Sequence, residues 1–172
     1  MIGRDDAGFS AFVAARGTSL LRIAHLACDA TEDAEDLLQT ALERAYRNWG
    51  RVRSDSDPEP YVRRIIVNTA ISRARRRAVL RIIPTGTPPE RPSRETDIPL
   101  RHALMDALRE LPPRQRAVVV LRYWEDLSEA QTAEILGCST GTVKSQASKA
   151  LAKLRPAIGG EPLEEAIRSA HA

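Results

Sequence analysis

Residues Leu127–Leu154, LSEAQTAEILGCSTGTVKSQASKALAKL, decide the predicted fold of the second half of this chain. Their pattern predicts a helix, a tight turn and a second helix. Ser128 and Gln131 have the spacing of a capping box, in which two side chains satisfy backbone N–H groups at the start of a helix. Gly137 stands where a helix commonly ends in a left-handed residue. The stretch therefore has the signals of a helix-turn-helix.

The second helix of this stretch has two chemically different faces. Apolar residues recur at helical spacing on one of them: Val143, Ala147, Ala150, Leu151 and Leu154. Polar residues occupy or flank the other: Thr142, Lys144, Ser145, Ser148, Lys149 and Lys153. A recognition helix in a DNA major groove needs such cations for phosphates and such short polar side chains for base edges. An ordinary amphipathic hairpin with solvated lysines would show the same periodicity, so both interpretations stay open.

The charges of the chain are unevenly distributed. The 172 residues carry a net charge of +3, and 42% are hydrophobic. Residues 1–62 hold seven arginines and eleven acids, whereas residues 63–77 hold six arginines and no acid. One acidic surface and two basic helices suggest two kinds of partner, a protein and a nucleic acid.

The cysteine content and hydropathy predict a cytosolic protein. Cys28 and Cys138 have no spacing that implies a bond, so we expect two reduced thiols. The sequence has no signal-peptide pattern, and no apolar run approaches the ~20 residues that span a bilayer.

The first half of the chain is predicted to contain three helices. Apolar periodicity places them at residues 7–28, from about Thr31 to Trp49, and at 61–80. The second of these is the most regular, and its acidic first turn favours a helix N-terminus. Residues 50–60, GRVRSDSDPEP, are predicted to form a loop because of their Gly, Pro, Asp and Ser content.

The second half begins after a proline-rich break. Residues 84–99 contain five prolines and few apolar groups, which predicts a linker. Helices are expected at 100–110 and 114–124, before the helix-turn-helix. A Gly159–Gly160 break follows, and then one short acidic helix. The predicted fold class is all-α, with two small helical domains joined by a Pro-rich linker.

The predicted helix 61–80 is a second basic element. A helical wheel puts four residues on one face: Arg64, Asn68, Ile71 and Arg75. The opposite face contains Val62, Ile65, Ile66 and Thr69. Arg and Asn together can hold phosphates and hydrogen-bond bases, and the run Arg73–Arg77, RARRR, favours a polyanionic partner. The alternative for this helix alone is a solvated basic face.

Three segments together resemble a known family. They are DAEDLLQTALERAYRNW at 33–49, PYVRRIIVNTAISRARRR at 60–77, and LRELPPRQRAVVVLRYWEDLSEAQTAEILGCSTGTVKSQASKALAKL at 108–154. In this order they resemble the bacterial sigma factors of the sigma-70 family, in particular the extracytoplasmic-function (ECF) group, across about residues 7–156. The resemblance implies sigma domain 2, a linker, sigma domain 4 and a C-terminal tail at residues 1–81, 82–99, 100–156 and 157–172.

The resemblance also implies a role for each element in promoter-specific initiation of transcription. The predicted helix from about Thr31 to Trp49, the docking helix, would contact the beta-prime clamp helices of core RNA polymerase through Asp36, Gln39 and Thr40. The loop at about Arg53 to Glu59 and the following helix would melt and recognise the minus-ten element. In that helix the contacts would be made by Arg63, Arg64, Asn68 and Arg75. The recognition helix would contact the minus-thirty-five element through Thr142, Lys144, Ser145, Ser148 and Lys149. The beta flap and an anti-sigma protein that covers the docking helix are further implied partners.

Other classes of function explain less of the sequence. The acids between Asp29 and Asp36 could be imagined as a metal site, but acids at a helix start usually complement the helix dipole. His25 and Cys28 lack the second pair that would complete a zinc site, and no phosphate loop or catalytic triad is present. We therefore expect no enzyme and no cofactor. A transcriptional regulator without polymerase contacts, or a protein-interaction adaptor, would leave one or more of the three segments unexplained.

Overall fold

The computed structural model describes residues 6–29, 33–55, 57–80 and 99–171, and these ranges are the basis of everything below. Within them the chain is helical with short turns, and no strand is present. The all-α prediction is confirmed. The predicted linker lies outside the described residues except for Pro99, which begins a helix.

The first half contains four helices: α1 (Asp6–Ala27), α2 (Ala34–Arg47), α3 (Trp49–Asp55) and α4 (Pro58–Leu80). Helix α2 begins at Ala34 because the Asp33 carboxylate accepts a hydrogen bond from the Glu35 N–H at 2.9 Å. Helix α4 begins before the predicted Tyr61, because Asp57 caps the Glu59 N–H at 3.1 Å and a proline is tolerated in the first turn.

The prediction of a loop over residues 50–60 is wrong. Helix α3 occupies most of this range, and its Trp49 and Val52 are buried. The Trp49 ring packs against Phe9 and Phe12 of α1, with centroids 5.1 and 5.2 Å apart. The burial of a large aromatic ring thus outweighs a local composition that favours a turn.

The second half contains α5 (Pro99–Glu110), α6 (Pro113–Val119), a π-helix (Val120–Trp124), α7 (Glu129–Leu136) and α8 (Thr140–Leu154). The predicted helix 114–124 is therefore present, but its last turn widens to an i→i+5 pattern, in which the Glu125 N–H bonds the Val120 carbonyl. A 3₁₀ turn (Arg155–Ile158) and α9 (Leu163–His171) follow.

The predicted caps of the helix-turn-helix are confirmed. Ser128 and Gln131 form both bonds of the capping box, at 3.1 and 2.8 Å. Gly137 has φ 61°, a left-handed conformation that glycine adopts without a steric penalty. The expected acidic tail helix is also present: α9 has Glu164 and Glu165 in its first turn and buries its apolar face.

The two halves of the described chain share one hydrophobic core. Helices α1 and α4 pack against α6, and α4 also contacts α7. Arg116 of α6 is only 3% exposed and donates to the carbonyl of Ala27 at 3.4 Å and to that of Leu111 at 3.0 Å. Among the described helices, none has the length and apolarity that a bilayer crossing requires.

Candidate nucleic-acid interface

Helix α8 separates its two faces as predicted. Its buried residues are Val143, Ala147, Ala150 and Leu154, with Leu151 half-buried. The side chains of the opposite face are exposed: Lys144, Ser145, Ser148 and Lys149. Packing on α6 and α7 thus presents one row of short polar and basic side chains to the surroundings.

Two of the predicted contact residues of α8 have local partners. Thr142 is half-buried, and its N–H and hydroxyl lie 3.1 and 3.0 Å from the Ser139 Oγ at the N-cap. Lys144 lies 3.5 Å from a carboxylate oxygen of Glu129, in an exposed pair worth about 0–1 kcal/mol. Such a pair is easily exchanged for a phosphate, whereas Thr142 also organises the helix start.

The buried face of α4 is wider than the helical wheel of the sequence predicted. Arg64 and Arg75 are exposed as predicted, but Ile71, assigned to their face, is 7% exposed and belongs to the core. The reason is tertiary, because α1 and α2 pack on one side of α4 while α6 and α7 pack on another.

The run Arg73–Arg77 is not a uniform basic tract. Arg73 donates to Asp36 Oδ2 and to Thr40 Oγ1, each at 2.8 Å, and Arg77 lies 2.6 Å from Asp29 Oδ2. These two arginines, four residues apart, face α2 and the end of α1. Of the arginines in the run, Arg75 and Arg76 are the exposed ones.

The predicted docking residues lie together on α2. The side chain of Asp36 is 66% exposed although it is paired, and Gln39 is exposed one turn later. Arg73 holds both Asp36 and Thr40, so it sets their orientation. Sequence analysis missed this role, although the i, i+4 spacing of Arg73 and Arg77 was a usable signal that both lie on one face of α4.

The other two minus-ten candidates contact the second half of the chain. The Asn68 Nδ2 donates to the Ile135 carbonyl in α7 at 3.0 Å. The Arg63 guanidinium lies 2.9 Å from Glu125 and 3.4 Å from Glu59. The four candidates on α4 are therefore split into an exposed pair and a covered pair.

Glu125 sits in a partly desolvated environment. The side chains of Arg63 and Glu125 are 13% and 18% exposed. Burial raises the pKa of the Glu125 carboxyl above its ordinary value, although Arg63 opposes this effect; Glu59 raises the pKa further and Arg22 lowers it. Burial and the negative charge of Glu59 together thus outweigh the stabilisation that Arg63 and Arg22 give to the ionised carboxylate.

Two family patterns match the chain. "Sigma-70 region 2" matches residues 12–79, and "Sigma-70, region 4" matches residues 101–154. The chain belongs to the sigma-70 family of RNA polymerase sigma factors. The buried faces of α1, α2 and α4 lie in the first match, and the helix-turn-helix lies in the second.

Curated relatives support membership in the ECF group. This sigma factor is 42% identical over 160 residues to the RNA polymerase sigma-E factor of Streptomyces coelicolor, across 91% of this chain and 89% of the relative. It is 36% identical over 140 residues to the ECF RNA polymerase sigma factor SigM of Mycobacterium tuberculosis, across 81% and 71% of the two chains.

Solved structures share the fold of this sigma factor. The sigma factor RpoE from Bartonella quintana, in a co-crystal with the anti-sigma factor NepR, superposes with a TM-score of 0.70 at 23% identity, covering 90% of this chain and 99% of that one. CnrH, in complex with the cytosolic domain of CnrY, has a TM-score of 0.56 at 22% identity and covers 92% of each chain.

Lowering the pH should stabilise the wild-type sigma factor relative to its Glu125→Gln variant. Because the folded-state pKa of Glu125 is raised above 4.5, the folded chain binds this proton more tightly than the unfolded chain. Its contribution to the free energy of unfolding is full below about pH 4.5 and is lost as the pH rises through the folded-state pKa.

Urea unfolding of both proteins from about pH 4 to 7 measures the difference between their free energies of unfolding. The contributions of the other carboxylates are the same in both proteins and cancel in this difference. A wild-type advantage that is constant, or that grows as the pH rises, would contradict the burial of the carboxyl.

Proposed function

We propose that this sigma factor docks on core RNA polymerase through α2 and recognises promoters through α4 and α8. The observation that carries the proposal is the division of α8: its apolar face is buried, while Ser145, Ser148 and Lys149 project outwards from a capped helix-turn-helix. In our assignment, residues 1–81 and 100–156 form the two functional units, 82–99 the linker and 157–172 the tail.

Docking on the beta-prime clamp helices is assigned to Asp36, Gln39 and Thr40. Asp36 and Gln39 are exposed, Thr40 is half-buried, and the helix begins in an acidic turn, which suits a basic protein surface and repels DNA. Arg73 fixes two of the three side chains before docking, so less conformational entropy is lost on binding.

Recognition of the minus-ten element is assigned to α4. Arg64 and Arg75 are available for the phosphates of an unpaired strand, and Asn68 has both a donor and an acceptor for the edge of an extruded base. Arg63 completes the set once Glu125 has moved away. The described part of the segment from Arg53 to Glu59 is mostly divided between the end of α3 and the start of α4, so we assign the task to α4 alone.

Recognition of the minus-thirty-five element is assigned to α8 in the major groove. Ser145, Ser148 and Lys149 reach base edges or phosphates, Lys144 exchanges Glu129 for a phosphate, and Thr142 acts at the helix start. Lysine lacks the planar fork with which arginine recognises guanine, so base discrimination at Lys149 is soft.

Further partners and the compartment follow from the same assignment. We assign the beta flap to the second unit and a dedicated anti-sigma protein to the docking face. The RpoE structure contains an anti-sigma factor as its partner. We also infer that the chain acts in the cytoplasm, where promoters and polymerase are found, and that it supplies binding energy but no reacting group.

Run-off transcription with core polymerase on a library of upstream regions tests the function as a whole. We expect a set of transcripts that start only when this sigma factor is added, and their upstream sequences define both promoter elements. DNA binding by the chain alone, with no start that depends on it, would instead identify a regulator that acts without being a polymerase subunit.

The variant Asp36→Arg should lose most polymerase binding, because it replaces an exposed carboxylate of the docking face with a cation. We expect at least about a tenfold rise in the dissociation constant for core polymerase, equal to about 1.4 kcal/mol. Glu110→Arg reverses an exposed charge in α5 and serves as the control. Gln39→Arg perturbs the same face without removing the partner of Arg73. Wild-type affinity in both α2 variants would refute the docking assignment.

The variant Asn68→Ala should bind core polymerase normally but fail to open promoters. The alanine cannot hydrogen-bond an extruded base, and such a contact contributes roughly 1–3 kcal/mol. Permanganate footprinting of unpaired thymines reports opening, and co-purification with core polymerase reports docking. Ser72→Ala, an exposed polar residue of the same helix, is the matched control. Unchanged permanganate reactivity in Asn68→Ala would exclude Asn68 from the minus-ten site.

A further inference from the structure

We propose that α9 is a detachable tail helix, and that the apolar groove beneath it accepts an amphipathic helix of a partner protein in its place. This groove, the tail groove, is formed by α5, the π-helix and the 3₁₀ turn, all of which α9 contacts. Helix α9 has no part in the proposed docking or promoter recognition, so the inference goes beyond the proposed function.

The tail groove and its cover differ in their relation to the family. The region 4 match runs from residue 101 to residue 154, so it contains the π-helix and most of α5, whereas α9 lies beyond it. The groove is therefore built largely on the framework that the family shares, and α9 is an addition to that framework. Without α9 the groove would be a contiguous apolar surface, and such surfaces on a folded protein commonly mark interaction sites.

The seated helix shows which chemistry the tail groove selects. Leu163, Ala166 and Ile167 are 5%, 1% and 4% exposed and belong to the same hydrophobic cluster as the buried leucines of α5. Their i, i+3, i+4 spacing is that of the anchors in helix-in-groove recognition. Glu164 and Glu165 lie in the first turn and are exposed. The partner that fits is therefore a helix with large apolar residues four positions apart, a small residue between them and acids in its first turn.

Helix α9 leaves part of the tail groove unfilled. An open cavity of about 290 Å³ lies beside its first turn, and the residues that line it include Tyr123, Leu151, Arg155, Ile158, Leu163 and Glu164. Burial raises the pKa of the Tyr123 hydroxyl, an effect that Arg122 opposes and Glu164 increases. Atoms beside a void lack packing partners, so a helix with a bulkier residue at this position would make contacts that α9 does not make. The exposed Arg155 complements the acids of such a helix.

The connection between α9 and the rest of the chain permits detachment. Gly159 and Gly160 are exposed, with φ angles of 62° and 87°, and two successive glycines form a flexible joint. Helix α9 spans nine residues, and an isolated helix of this length is marginal in water. The groove therefore holds α9 in its helical state, and leaving the groove and unfolding are one event.

The tether makes α9 a threshold for any partner. On a short flexible linker, the effective concentration of a tethered segment is in the millimolar range. The apparent affinity of a partner helix is reduced by the fraction of chains whose groove is open. A helix that only equals α9 therefore displaces it poorly, whereas a helix that also fills the cavity displaces it readily.

Fluorescence anisotropy on the full chain tests the groove, with a labelled peptide of residues 159–172 as the probe. Ile167→Lys and Glu165→Lys both place a lysine in α9, but Ile167 is buried and Glu165 is exposed. Ile167→Lys should bind the peptide at least about tenfold more tightly than wild type and Glu165→Lys, because its own tail no longer competes. A peptide that itself carries Ile167→Lys should bind none of the three proteins.

Should Ile167→Lys fail to unfold cooperatively in urea, Leu163→Lys provides the same test from the first turn of α9. Loss of cooperative unfolding in both variants would make α9 an integral part of the core and overturn its detachment. Equal peptide affinities for wild type and a folded groove variant also overturn the proposal.

Displacement of α9 in the wild-type chain tests detachment directly. NMR spectra of isotope-labelled protein contain only its own amides, so unlabelled peptide at about 1–10 mM can be titrated against the tethered helix. The amides of α9 should move to random-coil positions, while those of α8 stay in place. Amides of α9 that do not move, although Ile167→Lys binds the peptide, would overturn the proposal. Dimers that exchange α9 between copies would assign the groove to a second copy and overturn it as well. Neither experiment contains polymerase or DNA, so the result is independent of the sigma role.

Discussion

The packing of α4 between two groups of helices is the constraint on which the rest of the structure depends. One side of this helix buries Val62, Ile66 and Thr69, and the burial extends to Ile71. Helices α1 and α2 cover it within the first half, and α6 and α7 approach it from the second. A helix covered on two sides keeps only a narrow exposed stripe, so the position of each polar residue on α4 decides whether it is available.

Ion pairing divides the basic residues of α4 into structural and available groups. Arg73 and Arg77 neutralise Asp36 and Asp29, and they tie α4 to α2 and to the end of α1. Such pairs, which keep part of their surface in water, contribute modestly to stability, but they orient the side chains involved. The acidic face of α2 and the basic face of α4 are thus linked through shared ion pairs, although we propose opposite kinds of partner for them.

The two proposed DNA-binding helices differ in how they are exposed. The polar face of α8 lies on the outside, opposite its packing on α6 and α7, and is independent of the contact between the halves. The polar stripe of α4 faces α7 in part, through Asn68 and Ile135. The polar face of α8 is therefore exposed, while Asn68 and Arg63 of α4 are engaged by groups of the second half.

Local signals in the sequence determined the helical class, the helix-turn-helix caps, the acidic start of α2 and the polar face of α8, because each depends on residues within one or two turns. The helical state of residues 49–55 was decided by tertiary structure, since Trp49 is buried against rings some forty positions earlier. Tertiary structure also decided that Ile71 is buried, that Arg63 pairs with Glu125, and that Asn68 donates to the Ile135 carbonyl. Periodicity reports which face of a helix is apolar, but not how many neighbours cover it or which distant group meets a polar side chain. Those depend on contacts between residues far apart in the sequence, from some forty to almost seventy positions in these cases, which only the folded chain brings together.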